Sequence, residues 1–180
     1  MGYADTLFIA HFMTNADVGI YRVMLNFSTI SLFLANAVYS TLAPKISNWY
    51  ENKKISEISN TIGKSINYGL LLGIPACVGG CILCESLLWI FYGEEFVSGV
   101  PTACVLFLFQ IVCIVNMFIS CALSNSGFIK KTFFGTVIAL GINIVLNIVL
   151  IPEFGIIGAA IGSLIGTAIG CGVCIIFLRK

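Results

Sequence analysis

Arg22, Asn26, Thr29, Asn36 and Ser40 follow one another at intervals of four, three, seven and four residues inside an otherwise apolar run. At helical periodicity they share an arc of about 80°, interrupted by Phe33. Lipid does not tolerate such a face, so it points into a bundle or a water-filled cavity. Arg22 stays charged at any working pH and is the candidate to attract an anionic substrate group. The alternative has Arg22 snorkelling to headgroups from the first turn of its helix. Asp5, on the preceding segment, either pairs with Arg22 across the short turn Thr14–Asp17 or faces a cavity. Asn143 and Asn147, with Thr132 and Thr136, form a second polar face at one-turn spacing, suited to cavity lining or to hydrogen bonds between helices. Gln110 and Asn116 share one run but project in different directions, and His11 and Glu85 read as interfacial.

These residues must be positioned by elements that the composition identifies. The chain is 59% hydrophobic and 9% charged, with a mean hydropathy of +1.05. Soluble domains carry about 25% charged residues, so the chain reads as an all-α, polytopic membrane bundle forming a single unit over residues 1–180. A spanning helix needs about 20 apolar residues. Five runs reach roughly that length, at Val18–Ala43, Ile66–Tyr92, Pro101–Leu123, Thr132–Ile151 and Ile156–Leu178, and Met1–Met13 is a shorter sixth. The expectation is about six transmembrane helices, with Pro44 and Pro152 as stops. Gly69, Gly73 and Pro75 mark a kink in the third run. The opening residues lack the basic region of a signal peptide.

Lysine and arginine collect in alternate connections. Lys45, Lys53, Lys54 and Lys64 lie after the second run, Lys130 and Lys131 after the fourth, and Arg179 and Lys180 at the end. Asp17, Glu94, Glu95 and Glu153 occupy the other connections. The positive-inside rule places the basic side, with the C-terminus, in the cytoplasm. Within residues 44–64, Ile46, Trp49, Tyr50, Ile55, Ile58 and Ile62 recur at roughly helical spacing, which predicts a helix lying at the cytoplasmic interface.

Gly158, Gly162, Gly166 and Gly170 recur every fourth residue in a run without charge. Each glycine costs a helix interior about 1 kcal/mol relative to alanine. Small residues on one face let helix backbones approach closely where lipid supplies no hydrophobic drive, so this face reads as a packing surface.

Several function classes are excluded by what the chain lacks. A net charge of +1 and no basic run interleaved with aromatics exclude nucleic acid as a partner. The eight cysteines, including the CxxC pairs Cys81/Cys84 and Cys171/Cys174, all lie in apolar segments, where cysteine behaves as a small hydrophobe. No metal site or cofactor is expected. No phosphate-binding loop, nucleophile elbow or zinc-protease motif occurs, so the chain does not read as an enzyme.

Three motifs carry a family resemblance. They are an aspartate-bearing segment, a short turn and a "VGIY" helix start (Asp5, Val18–Tyr21); a helix running to a proline before a basic segment (Leu42–Lys45); and NIVLNIVLIPEFGIIGAA (Asn143–Ala160). In order and spacing the chain resembles, over nearly its whole length, the C-terminal half of lipid-linked oligosaccharide flippases. These are the O-antigen and polysaccharide exporters of the multidrug/oligosaccharidyl-lipid/polysaccharide superfamily. The resemblance implies a transporter of twelve or more helices in two halves around a central cavity, moving an isoprenoid-phosphate-linked sugar across the cytoplasmic membrane. Arg22, Asn26, Asp5, Thr29, Asn36, Asn143 and Asn147 are then expected along the substrate path. The chain reads as a fragment or split product that needs an N-terminal or partner half. A multidrug/cation antiporter of the same superfamily and a non-transporting membrane subunit are the competing readings.

Overall fold

The computed structural model describes residues 2–179, without the side chains of Leu34 and Arg179; Met1 and the terminal cation Lys180 lie outside the described residues. Among the described residues there are helices and no strands. In chain order these are α1 (Gly2–Phe12), α2 (Asn15–Thr29), α3 (Phe33–Glu51), α4 (Ile55–Tyr92), α5 (Val100–Asn125), α6 (Ile129–Phe154) and α7 (Ile156–Arg179). Short 3₁₀ segments, Ile30–Leu32 and Glu94–Gly99, join α2 to α3 and α4 to α5. The last four helices are long and apolar enough to cross a membrane, and α2 with α3 makes a fifth if the bent pair is one span. The eleven residues of α1 are the short segment at the start.

Local chemistry sets the boundaries. Thr14 caps α2: the backbone N–H of Asp17 donates to Thr14 Oγ1 (3.4 Å), and the backbone N–H of Thr14 donates back to Asp17 Oδ2 (3.1 Å), a reciprocal capping box. Gly93 (φ +93°), Gly127 (φ +79°) and Gly155 (φ +62°) stand at the turns after α4, α5 and α6, where the left-handed backbone favours a residue without Cβ. Pro101 sits in the first turn of α5, the one place where its missing N–H costs nothing.

The long second run is not one straight helix. Its axis turns by 56° between Asn15–Leu32 and Ala35–Glu51. At the bend the hydroxyls of Ser28, Thr29 and Ser31 donate to the carbonyls of Leu25, Asn26 and Ser28 (2.8, 2.6 and 2.7 Å). Such back-bonding competes with the helical ladder and bends it.

Pro44, the expected stop, lies inside α3, which continues to Glu51. Beyond the proline Ile46 is fully buried and clusters with Leu42 of the same helix, Ile58 and Ile62 of α4, and Ile114 and Phe118 of α5. That packing outweighs the loss of one backbone bond, a penalty of about 3 kcal/mol. The single interfacial helix expected over residues 44–64 is therefore two helix ends, the close of α3 and the start of α4, joined at a turn through Lys53 (φ +57°). α6 likewise runs two residues past Pro152.

α4 is continuous through Pro75 over 38 residues. Gly69 and Gly73 receive the Ile114 side chain, which a Cβ would meet at 2.9 and 2.6 Å, and Gly80 receives the Phe107 ring at 2.4 Å. These glycines seat α5. Leu71, Leu72, Ile82, Leu83, Ile90 and Phe91 are exposed, as suits the lipid-facing side of a spanning helix. α5 and α7 form the centre of the bundle. α5 packs on α2, α3, α4 and α7, and α6 packs on α7 and also meets α5 and α1.

Candidate functional site

The α6–α7 pair is built on the glycine repeat. A Cβ at Gly158 would lie 2.4 Å from the Leu150 carbonyl oxygen, at Gly166 2.8 Å from that of Ala139, and at Gly170 2.6 Å from the Ala139 Cβ. At Gly162 it would lie 2.7 Å from Asn147 Oδ1. Glycine thus brings α7 onto the α6 backbone and leaves room for an amide side chain between the helices. Gly135 does the same from α6, facing the Cys174 sulfur.

Into that seam α1 delivers Asp5, which is 1% exposed. Asn143 and Asn147 donate through Nδ2 to Asp5 Oδ1 at 2.9 and 2.8 Å. The hydroxyls of Ser163 and Tyr21 donate to Oδ2 at 2.6 and 3.1 Å. Asn143 Nδ2 also reaches Ser163 Oγ (3.0 Å). Four helices, α1, α2, α6 and α7, therefore meet on one carboxylate, and among the described residues its hydrogen-bond partners are neutral donors. A carboxylate accepts through both oxygens, and both are used here. Among the described residues Asn147 Oδ1 is buried without a hydrogen-bond partner, a cost tolerated here at the centre of the cluster.

The structure separates the remaining sequence candidates from Asp5. Arg22, Asn26, Thr29, Asn36 and Ser40 are exposed, on the bent α2–α3 pair. The Arg22 guanidinium does not pair with Asp5. It lies over the exposed Tyr3 ring, 5.9 Å from its centroid, a cation–π contact. The reason is rotational: Asp5 is turned toward α6 and α7, while Tyr3 and Leu7 of the same helix are 83% and 73% exposed. Thr29 and Asn36 share an open hollow at the bend with Phe33. Gln110, buried on α5, donates to Ser28 Oγ (3.1 Å) and ties α5 to that bend.

Sequence reasoning missed Tyr21 and Ser163. Ser163 follows Gly162 of the small-residue run, and Tyr21 closes the VGIY helix start. The available signal was elementary: a buried carboxylate demands donors, and the only hydroxyls that α7 offers are those of Ser163 and Thr167. The eight cysteines are free, and among the described residues no group of three or more His, Cys, Asp or Glu is placed to hold a metal.

Comparison with known proteins agrees with this architecture. The MatE family profile matches residues 1–149. Over 170 residues the chain is 30% identical to the probable low-salt glycan biosynthesis flippase Agl15 of Haloferax volcanii, covering 93% of this chain and 35% of that protein. It is 29% identical to the probable flippase AglR of the same organism, covering 93% of the chain and 36% of the relative. It is 21% identical to the capsular polysaccharide biosynthesis protein CapF of Staphylococcus aureus, covering 80% and 36%. The chain thus spans about a third of the length of the curated relatives it matches. No solved structure matches it. The apolar helices and these relatives describe a multi-pass membrane protein.

Proposed function

Because the chain belongs to the MatE family, we propose that it forms part of a flippase that carries a lipid-linked oligosaccharide or polysaccharide precursor across the cytoplasmic membrane. The cargo class is an isoprenoid-phosphate-linked sugar, by analogy with the relatives named as a glycan flippase and a capsular polysaccharide protein. The rest of the transporter, or a partner half, supplies the opposite wall of the cavity. The basic connections and the C-terminus lie in the cytoplasm, following the lysine distribution.

The observation that carries this reading is the division of polar residues into two sets. Arg22, Asn26, Thr29 and Asn36 are exposed on α2 and α3, in segments otherwise apolar enough for a span, and lipid cannot cover them cheaply. A phosphate-bearing headgroup is the partner their chemistry fits, with Arg22 supplying charge and bidentate donors. Asp5 forms the second set with Asn143 and Asn147. Sealed among neutral donors, it is the group whose occupancy by a proton or small cation would change what Tyr21 and Ser163 bind, and so couple α1 and α2 to α6 and α7.

The test is export of the sugar in cells that depend on the full-length protein, with Arg22→Ala compared against Lys131→Ala at equal membrane levels. Arg22→Ala is expected to reduce export at least tenfold and Lys131→Ala far less. Equal export by the two variants refutes the role of Arg22. If export also survives Asp5→Asn, the chain is a non-transporting subunit.

A further inference from the structure

A cleft of about 240 Å³ lies between α5, α6 and α7. Its wall carries Cys113 and Asn116 from α5, Thr136 and Ala139 from α6, and Thr167 and Gly170 from α7. The glycine contacts that draw α7 onto α6 leave only small side chains here, so the wedge facing α5 stays open. A water molecule needs roughly 10–15 Å³ of such space and two to four polar partners. The cleft exceeds that volume many times over. Asn116 lines the cleft beside Thr136 and Thr167 and accepts a long hydrogen bond from Ser120 at 3.5 Å.

Position gives the cleft its meaning. Its α6 residues lie in the half of that helix nearest Ile129, and on α7 Gly170 and Cys174 lie in the half nearest Arg179, with Thr167 at the middle; this is the end that bears Lys130 and Lys131. The Asp5 cluster starts one helical turn further in on both walls. On α6 Ala139 is followed by Asn143, and on α7 Thr167 is preceded by Ser163, and both Asn143 and Ser163 donate to Asp5. Between cleft and cluster stands Gly166, whose missing Cβ would lie 3.2 Å from the Asn143 Cβ.

We propose that this cleft is an aqueous vestibule through which water, and with it the proton or small cation taken up at Asp5, reaches the cluster from the lysine-bearing end of the bundle. The inference rests on the coupling role assigned to Asp5 above and adds the route by which that site is reached. Asn116 and Thr136 line the vestibule, and Asn143 and Ser163 form its inner threshold.

The route is tested by thiol labelling in sealed membranes of the full-length protein, with its other cysteines replaced and a charged, water-soluble methanethiosulfonate as probe. Asn116→Cys and Thr136→Cys are expected to react at least tenfold faster than the native Cys84, which is fully buried among apolar residues. Rates less than tenfold above Cys84 overturn the vestibule. Ser163→Cys is expected to react measurably, and to slow at least tenfold when the cleft is plugged by Thr136→Trp or by Cys113→Trp. No reaction at Ser163→Cys, or a rate unchanged by either plug, overturns the route. Normal labelling together with unimpaired export by Asp5→Asn would leave the water path standing and remove the coupling role instead.

Discussion

Gly170 and Gly172 lie two residues apart on α7 and separate two effects that glycine usually mixes. Alanine removes the conformational penalty at either position, a gain of about 1 kcal/mol. At Gly172 the new methyl meets nothing within 4 Å, so that gain is the whole effect. At Gly170 the methyl would stand 2.6 Å from the Ala139 Cβ and 2.9 Å from the Gly135 carbonyl oxygen. Neither belongs to a flexible side chain that can swing away. To move from 2.6 Å to an ordinary contact of 3.4 Å, the helices must part locally by about 0.8 Å. Overpacking of this kind costs about 1–3 kcal/mol, and the parting forfeits dispersion contacts along the seam. Gly170→Ala should therefore destabilise by about 1 kcal/mol net while Gly172→Ala stabilises by up to about 1 kcal/mol. The gap of about 2 kcal/mol corresponds to roughly a 30-fold difference in the unfolding equilibrium. The assay is equilibrium unfolding in mixed micelles against rising denaturing detergent, followed by helical circular dichroism. Equal shifts of the same sign for the two variants would refute the claim that the seam, and not helix propensity, explains this glycine repeat.

The Asp5 cluster and the α2 cap make further predictions. Asp5→Ala strands four donors on α2, α6 and α7 and is expected to lower stability by about 2 kcal/mol, read in the same detergent titration. Tyr21→Phe removes one of those donors and should cost about 0.6 kcal/mol, so a loss as large as that of Asp5→Ala would contradict the four-donor geometry. Thr14→Ala abolishes the hydroxyl half of the capping box and should cost about 1 kcal/mol. Hydrogen exchange at the first turn of α2 should rise accordingly, with no change in the spanning part of α7.

Much of the architecture was legible because it follows from composition and period. Too few charges to cover a soluble surface, and apolar runs of bilayer length, specify a helical membrane bundle. The run expected to end at Tyr92 does end there, at Gly93 with φ +93°, whereas the stop expected at Pro152 is passed and α6 ends at Phe154. Pro44 was misleading, because the penalty of a proline is local and fixed while the burial of Ile46 beyond it depends on α4 and α5. The bend at Ile30–Leu32 was latent in Ser28, Thr29 and Ser31. Their hydroxyls can bond either their own backbone or a neighbouring helix, and sequence does not choose between them.

The polar residues mark the same limit. By itself the sequence determined that Asp5, Arg22, Asn143 and Asn147 lie in apolar surroundings, and that four glycines of α7 share one face, since both follow from covalent order and a period of 3.6 residues. Only the tertiary structure decided that Asp5 turns away from Arg22 and collects Tyr21, Asn143, Asn147 and Ser163 from three other helices. The physical reason is that helix periodicity fixes which residues share a face. Which faces meet, and hence which donor satisfies a buried carboxylate, is set by packing between segments up to 158 residues apart in the chain.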